Sequence, residues 1–255
     1  MSLTLPPIDV AFWESQNEFY SAERLTQNVQ IGLRHAAKAG LIDSTAFATN
    51  RELVDAIAER IQRYTHPDEF SDTELLTLFD LIQGWGGKTG RGPYVRPKAA
   101  PPRLTDPRYP ALYRRAVELL FAIDEDDFDQ AEIDRADRAL CQLPGIAQSY
   151  STKHLCFWSR SIAGCPSLAI YDTRMVLLFR AANPDVRGPL SYLDFLAALK
   201  RTGASIGRRA DQVESALFAF SSNYFTNDAL RLRERVAIDH ADRALAEQLA
   251  ETANR

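Results

Sequence analysis

Residues Leu143 to Met175 read LPGIAQSYSTKHLCFWSRSIAGCPSLAIYDTRM. The stretch opens on a Pro144-Gly145 turn, enters a segment placed as a helix from near Lys153, breaks at Gly164-Cys165-Pro166, and starts another helix at Asp172-Thr173. Lys153 and Asp172 stand nineteen positions apart, each expected at the head of a helix. A free lysine has a pKa of about 10.4, so roughly one in a few thousand is neutral at pH 7. A helix N-terminus and partial burial both disfavour the ammonium, which makes a lysine so placed a usable amine nucleophile. Phe157 and Arg160, four and seven residues on, share its helical face, while Leu155, Trp158 and Ile162 take the buried one. For an arbitrary lysine, a solvated amphipathic helix is the commoner explanation. Asp172, placed as an N-cap carboxylate, needs no further role when considered alone.

Working outward, the 255 residues suffice for one large domain or two interlocked lobes. Hydrophobic content of 45% and charged content of 25% are those of an ordinary soluble protein. A net charge of −4 and a pI near 5.7 exclude attachment to nucleic acid by bulk charge, leaving only local basic patches. The N-terminal MSLTLPPIDVAFWE has neither the basic nor the apolar region of a signal peptide. Uncharged runs stop at fourteen residues, too short for a membrane span. Cys141, Cys156 and Cys165 are an odd set without CxxC spacing, expected as reduced thiols. A soluble cytoplasmic monomer is therefore expected, away from membranes. No cofactor is implied and no metal is assigned, since His66 and His154 lack partners at ligand spacing.

Nearly every periodic segment has the helical period and none alternates long enough for a sheet. A first helix, broken or continuous, is expected over about Ile8 to Ala39, with Phe12, Trp13, Phe19 and Leu25 as core candidates and Gly40 as its stop. Thr49/Glu52 and Ser71/Glu74 have capping-box spacing ahead of Leu53-Ile57-Ile61 and Leu75-Phe79-Ile82. Gly84 to Pro93 reads as a glycine-rich loop leading into a proline-rich stretch. Between Lys88 and Arg103 lie five basic residues, among them Arg91 and Arg96, and no acidic one. Such a segment can hold phosphates through backbone N–H groups and cations, or be a plain surface linker. Trp85 at its start is either buried or a stacking wedge. Its spacing fits neither a P-loop nor a Rossmann fingerprint. Pro110 opens the next helix, carrying Tyr113, Val117 and Leu120. Eight carboxylates from Asp124 to Asp137 lack the EF-hand frame and are expected as a solvated face. Ile133, Ala136 and Leu140 mark the buried side there. Asn183 to Pro189 is a turn, and Ser191 caps a helix bearing Tyr192, Phe195, Leu196 and Leu199. Lys200 to Arg209 is a second basic, glycine-containing turn ending in Arg208-Arg209. Val213, Leu217, Phe220 and Tyr224 follow on one face, with Asn227 as a further cap.

Leu143-Pro144-Gly145-Ile146, Thr152-Lys153 and Tyr171-Asp172-Thr173, in that order, resemble the active-site segment of the helix–hairpin–helix DNA glycosylases, closest to the 8-oxoguanine branch, whose bifunctional members keep the lysine. About thirty residues carry the likeness. The second hairpin glycine is replaced by Ala147, or by Ser151 if the lysines are aligned, and about four extra residues precede Lys153. Arg174 stands where the family's step has histidine, and no four-cysteine cluster follows. The resemblance implies an all-α protein of two helical lobes with a cleft between them. One lobe would span 50–164 with hairpin and lysine, and the other 1–49 with 165–255. It implies double-stranded DNA with a modified base as the partner, and a base flipped out for excision. Lys153 would attack C1′, with or without strand cleavage to follow, and Asp172 would stabilise charge on the sugar. Phe157, Trp158, Phe220, Tyr224 and Phe225 become candidate base-pocket walls, though each taken singly is more readily a core residue. Trp85, Lys88, Arg91, Arg96, Gly145, Arg174, Arg208 and Arg209 become candidate DNA contacts. The chain lacks the β-rich N-terminal domain of the eukaryotic 8-oxoguanine enzymes. It is similar to small bacterial members, some of which act in phage defence by removing glucosylated hydroxymethylcytosine. The expected substrate leans that way, with 8-oxoguanine repair or a non-catalytic binding module as alternatives.

Overall fold

The computed structural model describes residues 10–22, 47–86, 108–123, 130–143, 146–184, 186 and 188–224, with single positions at 30, 33, 37 and 231. Among these there are nine α-helices, one 3₁₀ turn and no strand, so the all-α expectation holds. In chain order the helices are α1 Val10–Ala22, α2 Asn50–Ile61, α3 Asp72–Trp85, α4 Arg108–Phe121, α5 Gln130–Cys141, α6 Gln148–Ser159, α7 Thr173–Ala182, α8 Tyr192–Ile206 and α9 Ala210–Tyr224. The 3₁₀ turn is Pro67–Glu69. They fall into two compact units, Phe19–Ile170 and Met1–Glu18 with Tyr171–Arg255. No described helix is long and apolar enough to cross a membrane.

Local chemistry starts these helices. Thr49 Oγ1 accepts from the Glu52 N–H at 3.2 Å, and Glu52 reaches back to the Ala48 N–H at 2.7 Å, satisfying two orphan donors of α2. Ser71 Oγ likewise accepts from Glu74 N–H at 3.1 Å. The Glu74 carboxylate does not complete that box; Arg60 of α2 holds it at 2.9 and 3.0 Å, tying α2 to α3. Arg114 of α4 donates to Pro67 O, Phe70 O and Asp72 at 2.8–2.9 Å, so one guanidinium pins the 3₁₀ turn and the head of α3.

Helix α6 is the centre of the Phe19–Ile170 unit, touching α2, α3, α4 and α5. Every residue from Tyr150 to Ser159 is buried, as a helix enclosed on all sides must be. Its neighbours contribute Leu53, Ile57, Leu75, Leu78, Tyr113, Val117, Ile133 and Leu140 to the core. Trp158, wholly buried, lies edge-on to Phe70 at 5.2 Å and donates its indole N–H to Tyr113 Oη at 2.8 Å. Tyr113 Oη lies 2.8 Å from His154 Nδ1, and His154 Nε2 lies 2.8 Å from Gln83 Nε2, joining α3, α4 and α6 through buried polar atoms. Burial pushes the Tyr113 phenol up, against the Trp158 hydrogen bond and with the Asp80 carboxylate, so it stays neutral.

In the other unit α9 packs on α7 and α8. Trp13 of α1 donates to Gln212 O at 3.1 Å. Gly207 ends α8 in the left-handed region at φ 66°, which lets Arg208 N–H close on Gly203 O at 2.8 Å. A Cβ on Gly203 would meet Arg208 O at 2.2 Å, so only glycine fits beneath that turn.

Four sequence expectations are corrected. Lys200 to Ile206 is helix and only 207–209 turn, because Gly203 serves close packing rather than chain reversal. Gly84 and Trp85 belong to α3, whose buried positions run through to Gly84. Helix α4 starts at Arg108, two residues before Pro110. Helix α6 starts at Gln148, not near Lys153, since a helix buried all round has no apolar stripe to mark its first turn. Leu25 as a core residue, Gly40 as a stop, Asn227 as a cap and the whole 88–103 basic stretch lie outside the described residues, as does the Phe19 side chain.

Candidate active site around Lys153

Lys153 occupies the sixth position of α6, so the helix terminus contributes little to it. Its surroundings do more. The residue is 9% exposed, and side chains on a helix lean towards its N-terminus. Accordingly Nζ turns back and donates to Ser149 O at 3.0 Å, lying 5.0 Å from the centre of the Tyr150 ring. Gly86, which caps α3, adjoins both residues. A Cβ there would stand 3.2 Å from Lys153 Cδ and 3.0 Å from Tyr150 Cε1. The lysine stem thus lies in a slot lined by a glycine and an aromatic ring that also adjoin each other.

Phe157 and Arg160 continue the face as the helical period demanded. Phe157 is 1% exposed and meets Trp85 edge-on at 5.0 Å. The Arg160 guanidinium lies 5.9 Å from the Phe157 ring. Trp85 is half-buried, its indole N–H donated to Asn50 Oδ1 at 2.7 Å, which pins the ring rather than leaving it to swing as a wedge. Both Phe157 and Trp158 are enclosed, Trp158 wholly, and so lie in the core of their unit.

Two residues before the lysine, Ser151 donates its hydroxyl to Asp137 of α5. Asp137 is 8% exposed, contrary to the solvated face expected for that acidic run, because its helical position faces α6. The outer part of the run, 124–129, lies outside the described residues. Burial pushes the Asp137 carboxyl above the usual carboxylate range, against hydrogen bonds from Ser151 and Gln148. An acid with a raised folded-state pKa contributes stability that is full below its unfolded pKa and lost as pH rises through the folded one. Asp137→Asn keeps an acceptor for Ser151 and removes the charge. It is therefore expected to melt higher than the native protein at pH 7, the difference closing as pH falls to about 4. A thermal-denaturation series across that range checks it, and a variant that melts lower at pH 7 would show that the charge is needed.

In the second unit, Asp172 caps α7 as expected, Oδ1 accepting the Met175 N–H at 3.0 Å. Tyr171 beside it is buried, edge-on to Phe195 at 5.2 Å, and donates its hydroxyl to Leu190 O. Burial raises its phenol. Of the candidate DNA contacts here, Arg174 donates to Ser221 O at 2.8 Å. Arg208 lies 4.2 Å over the Trp13 ring and 3.9 Å from Glu14. Arg209 forks onto the buried Asp211 at 3.0 and 3.1 Å. All three cations therefore have work inside the fold. Phe220 is half-buried, edge-on to Phe12 at 5.3 Å. Lys88, Arg91, Arg96, Gly145, Phe225 and the Tyr224 side chain lie outside the described residues, as does Pro144 of the hairpin. No group of three His, Cys, Asp or Glu able to hold a metal occurs among the described residues.

Sequence reasoning missed Tyr150, Gly86 and Ser149. Starting α6 five residues earlier would have put Tyr150 and Ser149 three and four positions before the lysine, on its face.

No curated protein and no solved structure matches the chain. Residues 21–218, well over half of it, match the model of a family described as "Putative 8-oxoguanine DNA glycosylase OGG-like protein". That span contains both the Lys153 slot and the Asp172 cap, and the chain belongs to this OGG-like DNA glycosylase family.

Proposed function

We propose that this protein excises a modified base from double-stranded DNA with Lys153 as nucleophile. The observation that carries the reading is a buried lysine inside the family-matched span, its amine donating to the Ser149 carbonyl and lying over the Tyr150 ring. In this reading the neutral amine gives its lone pair to C1′ of a flipped nucleotide. The glycosidic C1′–N bond breaks with its electrons leaving on the base, which takes up a proton. Asp172 offsets positive charge building on the deoxyribose. Loss of the amine's proton and opening of the sugar ring give a protonated Schiff base, from which elimination of the 3′ phosphate would cleave the strand.

Two substrates are carried forward. Glucosylated hydroxymethylcytosine is favoured by the likeness to small bacterial members, and 8-oxoguanine by the description of the family. Base release from phage DNA bearing glucosylated cytosines, set beside an 8-oxoguanine duplex, separates them. Release from the first and inertness on the second is the expected result; the reverse overturns the defence role and leaves repair. Borohydride trapping on the same DNAs tests the lysine chemistry. A protein that binds both, releases neither and traps on neither is a binding module. Asp172→Asn keeps the cap, since asparagine serves as well there. It is expected to fold normally and lose release, on the order of 10²-fold.

A further inference from the structure

We propose that Tyr150 is the positioning residue for the Lys153 amine, acting through its ring face, with the bare Cα of Gly86 packed against both side chains. The inference rests on Lys153 being the nucleophile and adds what aims it. A neutral amine has two N–H bonds and one lone pair. Ser149 O takes one N–H at 3.0 Å, and the Tyr150 π-face, 5.0 Å from Nζ to the ring centre, attracts the second. These two contacts restrict where Nζ sits, and with it the line along which the amine approaches C1′. Gly86 makes this possible, because any Cβ at that position would press on Tyr150 Cε1 at 3.0 Å and Lys153 Cδ at 3.2 Å. Tyr150 is itself held, being 6% exposed in the enclosed helix α6. The contribution is orientational and falls on the step in which the amine attacks, so binding of DNA is left alone.

The chain has five lysines, Lys38, Lys88, Lys98, Lys153 and Lys200, which makes its lysine side-chain spectrum simple. With lysines carrying ¹³C, one side-chain methylene signal of the whole protein is expected upfield of the others, displaced by the Tyr150 ring current. It should vanish in Lys153→Arg, persist in Tyr150→Phe and join the bulk signals in Tyr150→Leu. A native protein with no such displaced signal overturns the slot whether or not the protein is a glycosylase. The kinetic arm uses borohydride trapping and single-turnover release. Tyr150→Leu should trap about tenfold more slowly with unchanged DNA affinity, and Tyr150→Phe should restore the native rate. A Phe variant as slow as the Leu variant would assign the effect to the hydroxyl and sink the ring-face role. If the displaced signal behaves as stated but the native protein traps on neither DNA, the glycosylase mechanism falls and the slot stands.

Discussion

Lys153→Arg is expected to abolish the borohydride-trapped complex and to lower single-turnover base release on the order of 10³-fold or more, with DNA affinity little changed. The reasoning is chemical. Arginine keeps the positive charge that a phosphate would feel but cannot be deprotonated, so it has no lone pair to offer C1′. Alanine at the same position should give the same loss by removing the amine, while also emptying the slot lined by Gly86 and Tyr150. Agreement between the two variants separates nucleophilicity from charge. An arginine variant that still releases base at near-native rate would remove Lys153 from the chemistry, since a guanidinium cannot form the covalent intermediate.

Trp158→Ala is the most destabilising single change expected, costing about 3–5 kcal/mol. The indole is 0% exposed and ringed by Phe70, Tyr113 and Phe121. Its truncation leaves a cavity where α6 is enclosed, and it also strips Tyr113 Oη of its indole donor. Set against a total stability of about 5–15 kcal/mol, such a loss lowers the melting temperature by roughly 6–20 °C. Trp158→Phe refills most of the volume and loses only the N–H, so it should cost about 1–3 kcal/mol. Thermal denaturation followed by circular dichroism measures both. An alanine variant melting within about 2 °C of the native protein would mean the residue is not packed as described.

Legibility followed the kind of signal each element carries. Caps are written in short-range spacing, and Thr49, Ser71, Asp172 and Ser191 all cap the helices they were expected to start. Amphipathic helices such as α4 and α5 announced their buried faces through Tyr113, Val117, Ile133 and Leu140. Helix α6 could not, because burial on every side erases the stripe that periodicity detects. That one misplacement hid Tyr150 and Ser149 and gave Lys153 a helix terminus it does not have. Arg208 and Arg209 read as a basic patch because a sequence shows charge without its partners. Trp13, Glu14 and Asp211, which engage them, lie up to nearly two hundred residues away in the chain. The close approach of Gly86 to the lysine was equally invisible, since a glycine's neighbours are set only by the packing of α3 on α6.

The placement of Trp85 has an optical consequence. Indole emission follows the polarity and mobility of its surroundings, and the three tryptophans sample three different ones. Trp158 is sealed from solvent and Trp13 lies under a guanidinium. Trp85 is half-buried, fixed by Asn50 and edge-on to Phe157, at the head of the segment that follows α3. The protein therefore carries, on the helix face that continues from Lys153, a native fluorophore whose emission reports on that face.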